Sequence, residues 1–246
     1  MKEITEKQRK TRDKYAKKNN NDKKILMVTI MLLLISSLVV FGDNIAKATN
    51  STDDILAMIE PMQNILKAEK ASVHNINGTT VFINRVAEYS VAGRVVEEYD
   101  YTSNLATIKK IISRNEYYDK IAVKDVAIAY GPMALTENHK KMTYIMSGSR
   151  KISYAINDSS LVSSLGGLDV VKKYITNNHL IAANDEVEAL IKRINKDEYV
   201  QITGYLVNVS WEEGIYRYAL ESSLSREDVG SGACEVILVE DVKWIK

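Results

Sequence analysis

Residues Tyr199 to Val209 read YVQITGYLVNV, a run of β-branched and aromatic residues with the alternation of a strand. Val200 and Ile202 share one side-chain parity, and Val207 and Val209 share the other. Side chains along a strand alternate with a period of two, so parity is lost only where the strand is interrupted. The slip falls at Gly204, and a glycine bulge has that effect. The strand is therefore expected to bend sharply, which points to a curved sheet rather than a flat one.

The neighbouring sequence extends this pattern. Ile215 to Ser222 and Cys234 to Ile245 read as further strands. Before them, Asn184-Asp185 caps a helix that carries Val187, Leu190, Ile191 and Ile194 on one side. Gly166-Gly167 breaks the chain ahead of the short apolar segment Val170 to Ile175. Met142 to Met146 and Lys151 to Ile156 form a hairpin candidate around Ser147-Gly148-Ser149. Val123 to Ala129 is an apolar run that ends in Tyr130-Gly131-Pro132-Met133. Asn104 to Arg114 reads as a short helix. Thr79 to Ile83 and Tyr89 to Val96 read as strands, the second interrupted at Gly93 as by a bulge or bend. Short, bent strands with a few helices between them define an α+β domain over residues 79–246. Its sheet is expected to be mostly antiparallel and curved, or closed into a partial barrel. The nearest simple model is the oligonucleotide/oligosaccharide-binding (OB) type.

Upstream, Asp53-Asp54 starts a helical pattern through Ile55, Leu56, Met58, Ile59, Met62, Ile65 and Leu66, interrupted by Pro61, and Asn75-Ile76-Asn77-Gly78 reads as a turn. Residues 43–78 are thus expected to connect through a helix, either a stalk or a helix packed on the domain.

Ile25 to Phe41, ILMVTIMLLLISSLVVF, is seventeen residues without a charge. A helix of that length rises roughly 26 Å, just short of a bilayer core of about 30 Å. Residues 1–24 hold ten Lys/Arg and four Asp/Glu, and basic flanks stay in the cytoplasm. The expected topology is a basic cytoplasmic tail at 1–24, a single-pass anchor at 25–42 and everything beyond outside. The long charged leader favours a retained anchor. Ala46-Lys47-Ala48 offers the alternative, a cleavage site that would release a secreted form. From Thr49 onward there are 22 basic and 27 acidic residues, a net of −5, although the whole chain is +1. Bulk charge therefore gives the outer part no attraction for nucleic acid. The one cysteine, Cys234, allows no intramolecular disulfide, an economy that fits bacterial export.

The chain lacks a phosphate loop, a dinucleotide fingerprint, H-E-x-x-H and paired cysteines. No cofactor and no metal is expected, since His74, His139 and His179 have no ligand spacing. The densest stretch is Ser222 to Glu235, SSLSREDVGSGACE. Ser225, Arg226, Asp228, Gly230, Gly232, Cys234 and Glu235 make a loop that can bring backbone N–H groups and an arginine to an anion. The plainer reading is a tight connection with Arg226 paired locally and Cys234 a small core residue. Asn178, His179 and Tyr130 are secondary candidates: an imidazole and an amide beside an apolar pair, and an aromatic before a Gly-Pro turn.

GPM after an apolar strand, NxHLIxA at 178–183 and SSLSRxDxGxGACE at 222–235 together resemble a set of exported or single-pass bacterial proteins with no assigned activity. The resemblance spans roughly residues 79–241 and implies a shared architecture and a bacterial source. It carries over no catalytic residue. Tyr130 departs from the set, where a Trp stands. The expected function is a membrane-anchored extracytoplasmic binding or accessory domain, its partner a protein of a cell-envelope assembly or a small ligand. The alternative is an envelope hydrolase using the region of His179, Arg226, Asp228 and Cys234.

Overall fold

The computed structural model describes residues 59–103, 120–147, 150–225 and 234–245. The membrane-span candidate Ile25 to Phe41, the helix candidate Asn104 to Arg114, and Arg226, Asp228, Gly230 and Gly232 lie outside the described residues. The strands are β1 (Met62–Ile76), β2 (Thr79–Asp100), β3 (Lys124–Ala129), β4 (Met142–Met146), β5 (Ile152–Ile156), β6 (Ile175–Ala182), β7 (Tyr199–Glu213), β8 (Tyr216–Leu220) and β9 (Glu235–Trp244). The helices are α1 (Thr136–His139), α2 (Ser160–Leu165), α3 (Leu168–Lys173) and α4 (Asp185–Lys192), with a 3-10 turn at Gly131–Ala134.

Seven strands form one sheet in the order β1-β2-β3-β6-β9-β7-β8, and β2 also pairs with β7. That extra pairing closes β2, β3, β6, β9 and β7 into a ring, with β1 and β8 flanking it. All pairings in the ring are antiparallel except β6 with β9. The 22-residue β2 makes closure feasible, because it serves two partners in turn: β7 along Val81–Arg94 and β3 along Arg94–Asp100. Register shifts at Arg85/Ala87 and Val95/Glu97 bend it between them.

The bend read at Gly204 is present, with a different origin. Register slips between Thr203 and Gly204, but the extra residue is Glu240 on β9. A Cβ on Gly204 would stand 2.1 Å from Leu238 O, so the glycine is there for close approach of β9. Gly93 plays the same part: β2 stays in register with β7 through it, and a Cβ would meet Ala129 O at 2.2 Å. The parity change in β7 follows from its surroundings. Val200, Ile202 and Leu206 point into the ring with Val91, Val126, Leu180 and Ile237, a core capped by Val187 and Ile191 of α4. Val207, Val209 and Trp211 point the other way, into a second core with Val81, Ile83, Val236 and Leu238. A third core joins Ala127 and Ala129 of β3 to Met133, Met142, Leu161 and Val171 of the segment between β3 and β6.

One element departs from expectation. From Met62 the chain is strand, not helix: β1 pairs with β2 from Met62↔Ser90 to Ile76↔Thr79. Asn77 and Gly78 both take positive φ, 51° and 79°, and make the tight turn that returns the chain antiparallel. Pairing along this hairpin overrides the local helical spacing of Met62, Ile65 and Leu66. The expected hairpin β4–β5 and the helix capped by Asn184 are both present, the cap accepting from Val187 N at 3.0 Å.

Candidate functional site

Strands β3 and β6 set Asp125 directly opposite His179. Both side chains are buried, at 0 % and 1 % exposure, with His179 Nδ1 2.5 Å from Asp125 Oδ1. The other carboxylate oxygen accepts from the Tyr101 hydroxyl at 2.6 Å and from Arg150 N at 2.9 Å. Tyr101 also sets its ring edge-on to the imidazole, 5.8 Å between centroids. An ionised carboxylate is an acceptor only, and three donors on its two oxygens are what a buried one needs.

Asn177 lies two residues along β6, on the same face as His179. Its amide donates to Arg150 O at 2.8 Å and to Cys234 Sγ at 3.3 Å. The Cys234 thiol in turn donates to Arg150 O at 3.1 Å. Burial pushes this thiol above its ordinary range, against the opposing pull of the Arg150 charge. It is therefore held as the neutral thiol, the unreactive form. Arg150 joins the two halves: its N–H goes to Asp125 and its carbonyl takes Asn177 and Cys234. Its guanidinium reaches Glu221 O at 3.2 Å and Cys234 O at 3.4 Å. The residue adopts φ +60°, a left-handed conformation that a non-glycine residue holds only under such constraint.

Asn178 and Glu235 face the ring interior, by alternation from His179 and Cys234. Glu235 is 4 % exposed and accepts from the Thr176 hydroxyl at 2.6 Å, while Asn178 donates to Val126 O at 3.0 Å. The two described ends of the loop are zipped together: Ser223 N bonds Cys234 O and Val236 N bonds Ser222 Oγ, each at 3.0 Å. Ser225 N turns back to Ser223 Oγ at 3.0 Å. Tyr130 belongs to another neighbourhood, where its hydroxyl donates to Lys173 O at 2.5 Å and its ring meets Tyr174.

The structure thus gathers His179 and Cys234 around Arg150 and places Asn178 and Glu235 just inside them. Asp125, Tyr101, Asn177 and Arg150 complete the group; Asp125 and Asn177 open the two stretches that hold Tyr130 and His179, whereas Tyr101 and Arg150 are not among the sequence candidates. Asp125 did leave a trace, as an acid inside an apolar run; Arg150, in a hairpin turn, left none.

A second polar group binds the β3–β6 segment to the ring. Arg94 of β2 is buried and donates to Thr136 Oγ1 at 2.6 Å, to the Tyr199 hydroxyl and to Ala134 O. Asp197 takes Arg94 at 3.6 Å and His139 Nε2 at 3.3 Å, and the His139 ring stacks on Tyr144. Burial, then the Arg94 charge, hold His139 below its ordinary pKa, while Asp197 works the other way.

Among the described residues no group of three or more His, Cys, Asp or Glu is placed to hold a metal ion, and no helix is long and apolar enough to cross a membrane. No protein-family model, curated protein or solved structure matches the chain.

Proposed function

We propose that this chain is a membrane-anchored extracytoplasmic binding module built on an OB-type barrel, with a role in recognition rather than catalysis. The ring supports the barrel type. Taken in chain order, its strands close as first, second, third, fifth, fourth, with the third and fifth parallel and a helix between the third and fourth. In barrels of this type the second and third strands and the adjoining loops carry the ligand face. Here those strands are β3 and β6, and Tyr101, Arg150 and Cys234 cover the outer side of Asp125, Asn177 and His179.

The observation that carries the non-catalytic reading is the state of Cys234. A nucleophilic cysteine is a thiolate in an electropositive, accessible place. This one is buried, raised in pKa and hydrogen-bonded on both its donor and acceptor sides. The rival hydrolase draws on one real feature, the Asp125–His179 pair, which has the contact that orients a general base. That carboxylate is also tied to Tyr101 and Arg150, which makes it equally a brace between strands. Membrane attachment rests on the uncharged span and the basic tail.

Thiol alkylation tests the reading. With the full chain in detergent micelles at neutral pH, iodoacetamide should label Cys234 slowly when the protein is folded and rapidly after unfolding. Rapid labelling of the folded protein, accompanied by loss of its cellular role, would overturn it in favour of the hydrolase.

A further inference from the structure

Beyond the ring, β1, β2, β7 and β8 continue as a four-stranded antiparallel sheet. One of its faces is the second core, carrying Ile83, Val209, Trp211 and Leu220. The other is open. Register places Val73 beside Phe82, Phe82 beside Ser210 and Ser210 beside Ala219, with Asn84 and Asn208 paired in the next row. Val73 is 63 % exposed and Phe82 52 %. These residues line a groove of about 330 Å³, at the small end of ligand sites, which run about 300–1,000 Å³.

The groove is bounded at the end where the chain leaves β8. Ser222 N donates to Asn208 Oδ1 at 3.2 Å, and Gln63 of β1 donates to Leu224 O at 2.9 Å. The segment after β8 therefore passes over β7 to β1 and walls off that end. Two carboxylates stand at the walled end: Glu221, the one charged residue among the described residues that line the groove, and Glu69, which holds the Asn84 amide. Arg217 is on the same face further along but is already paired with Glu212 at 2.8 Å.

We propose that this groove docks an extended segment of a partner protein that presents a large apolar side chain next to a lysine or arginine. The proposal rests on the binding-module reading above. Val73 and Phe82 would receive the apolar side chain, and Glu221 and Glu69 the cation, with Asn84 and Asn208 fixing the backbone between them. Complementary charge of this kind sets partner choice and encounter more than raw affinity, and the net −5 of the outer part favours the same partner. The chain's own basic segment, residues 1–24, falls on the other side of the membrane under the proposed topology, so the occupant comes from another protein.

Fluorescence polarisation with the full chain in micelles tests this, using three short acetylated probes: alternating leucine and lysine, alternating leucine and glutamate, and alternating serine and lysine. The leucine–lysine probe should bind most tightly. Val73→Ser with Phe82→Ser should weaken it by about tenfold or more, as loss of an apolar anchor does, with an unchanged melting temperature because both side chains are exposed. Glu221→Lys should turn the preference toward the leucine–glutamate probe. Equal binding of the leucine–lysine and leucine–glutamate probes, or indifference to the double substitution, would overturn the proposal. A photo-crosslinking amino acid placed in cells at position 82, and separately at the exposed positions 145 of β4 and 168 of α3, which do not line the groove, separates the two readings. Trapping of a second copy of this chain at position 82, or of a partner from positions 145 or 168 only, removes the groove and leaves the binding module. Trapping from none of them removes both.

Discussion

The carboxylate of Asp125 is closed off from solvent and takes donors from His179, Tyr101 and the Arg150 backbone. Asp125→Asn would set an amide N–H against at least one of these donors, and removing one partner of a buried charged group costs several kcal/mol. Thermal or urea unfolding should show a loss of about 3 kcal/mol, against about 1–2 kcal/mol for Cys234→Ser, which only exchanges a thiol for a more strongly hydrated hydroxyl. His139 offers a pH test. Its folded pKa is depressed, so the unfolded chain binds the proton more readily. Its contribution to stability is complete above the unfolded value of about 6.5 and is lost as pH falls from there through the folded pKa. His139→Gln should flatten the stability-against-pH curve in that window; an unchanged curve would show that His139 is not its source. Little of this was legible in advance. His179 and Cys234 stand out by type, whereas Tyr101 and Arg150 reach the same place from turns 29 and more residues away from either in the chain, a convergence that only the closed ring creates.

At the scale of elements, the glycines carry the sharpest expectations. Gly204→Ala and Gly93→Ala place a Cβ 2.1 Å and 2.2 Å from a backbone oxygen, in strands that cannot move apart without opening the ring. Each should cost more than about 3 kcal/mol or prevent folding, as overpacking against backbone does. Asn184→Ala removes a side-chain cap of α4 and should cost about 1 kcal/mol. If all three variants melt alike, the closeness of β7 to β9 and of β2 to β3 is wrongly described. The sequence announced these elements unevenly. The β4–β5 hairpin, α4 and strands β3, β7 and β9 were readable from alternation, turn residues and the cap. The helical spacing of Met62, Ile65 and Leu66 hides strand β1, and only the Asn77-Gly78 turn hints that the preceding residues return along β2. The bend lies near Gly204 but its extra residue is on β9; the parity change in YVQITGYLVNV comes from β7 facing one core up to Leu206 and another from Val207, and a single sequence does not distinguish that from a bulge.

For the whole molecule, the proposed placement predicts that a reporter active only outside the cytoplasm, fused after Lys246, is active, and that a cytoplasm-requiring reporter is silent; the reverse pattern would exclude the topology. The curvature of the sheet is legible in the interrupting glycines Gly93 and Gly204, but the partner of each strand is not, since register depends on residues far apart in the chain. Under the proposed function, the buried group around Asp125, His179 and Cys234 holds the barrel together and performs no chemistry. The most direct test of this is one series, Asp125→Asn, Asn177→Ala, His179→Gln and Cys234→Ala, in which each variant's cellular activity is plotted against its folded fraction measured in the same membranes. All four should fall on one line through the unsubstituted protein. A variant that is fully folded yet inactive, above all Cys234→Ala or His179→Gln, would contradict it and identify a catalytic residue.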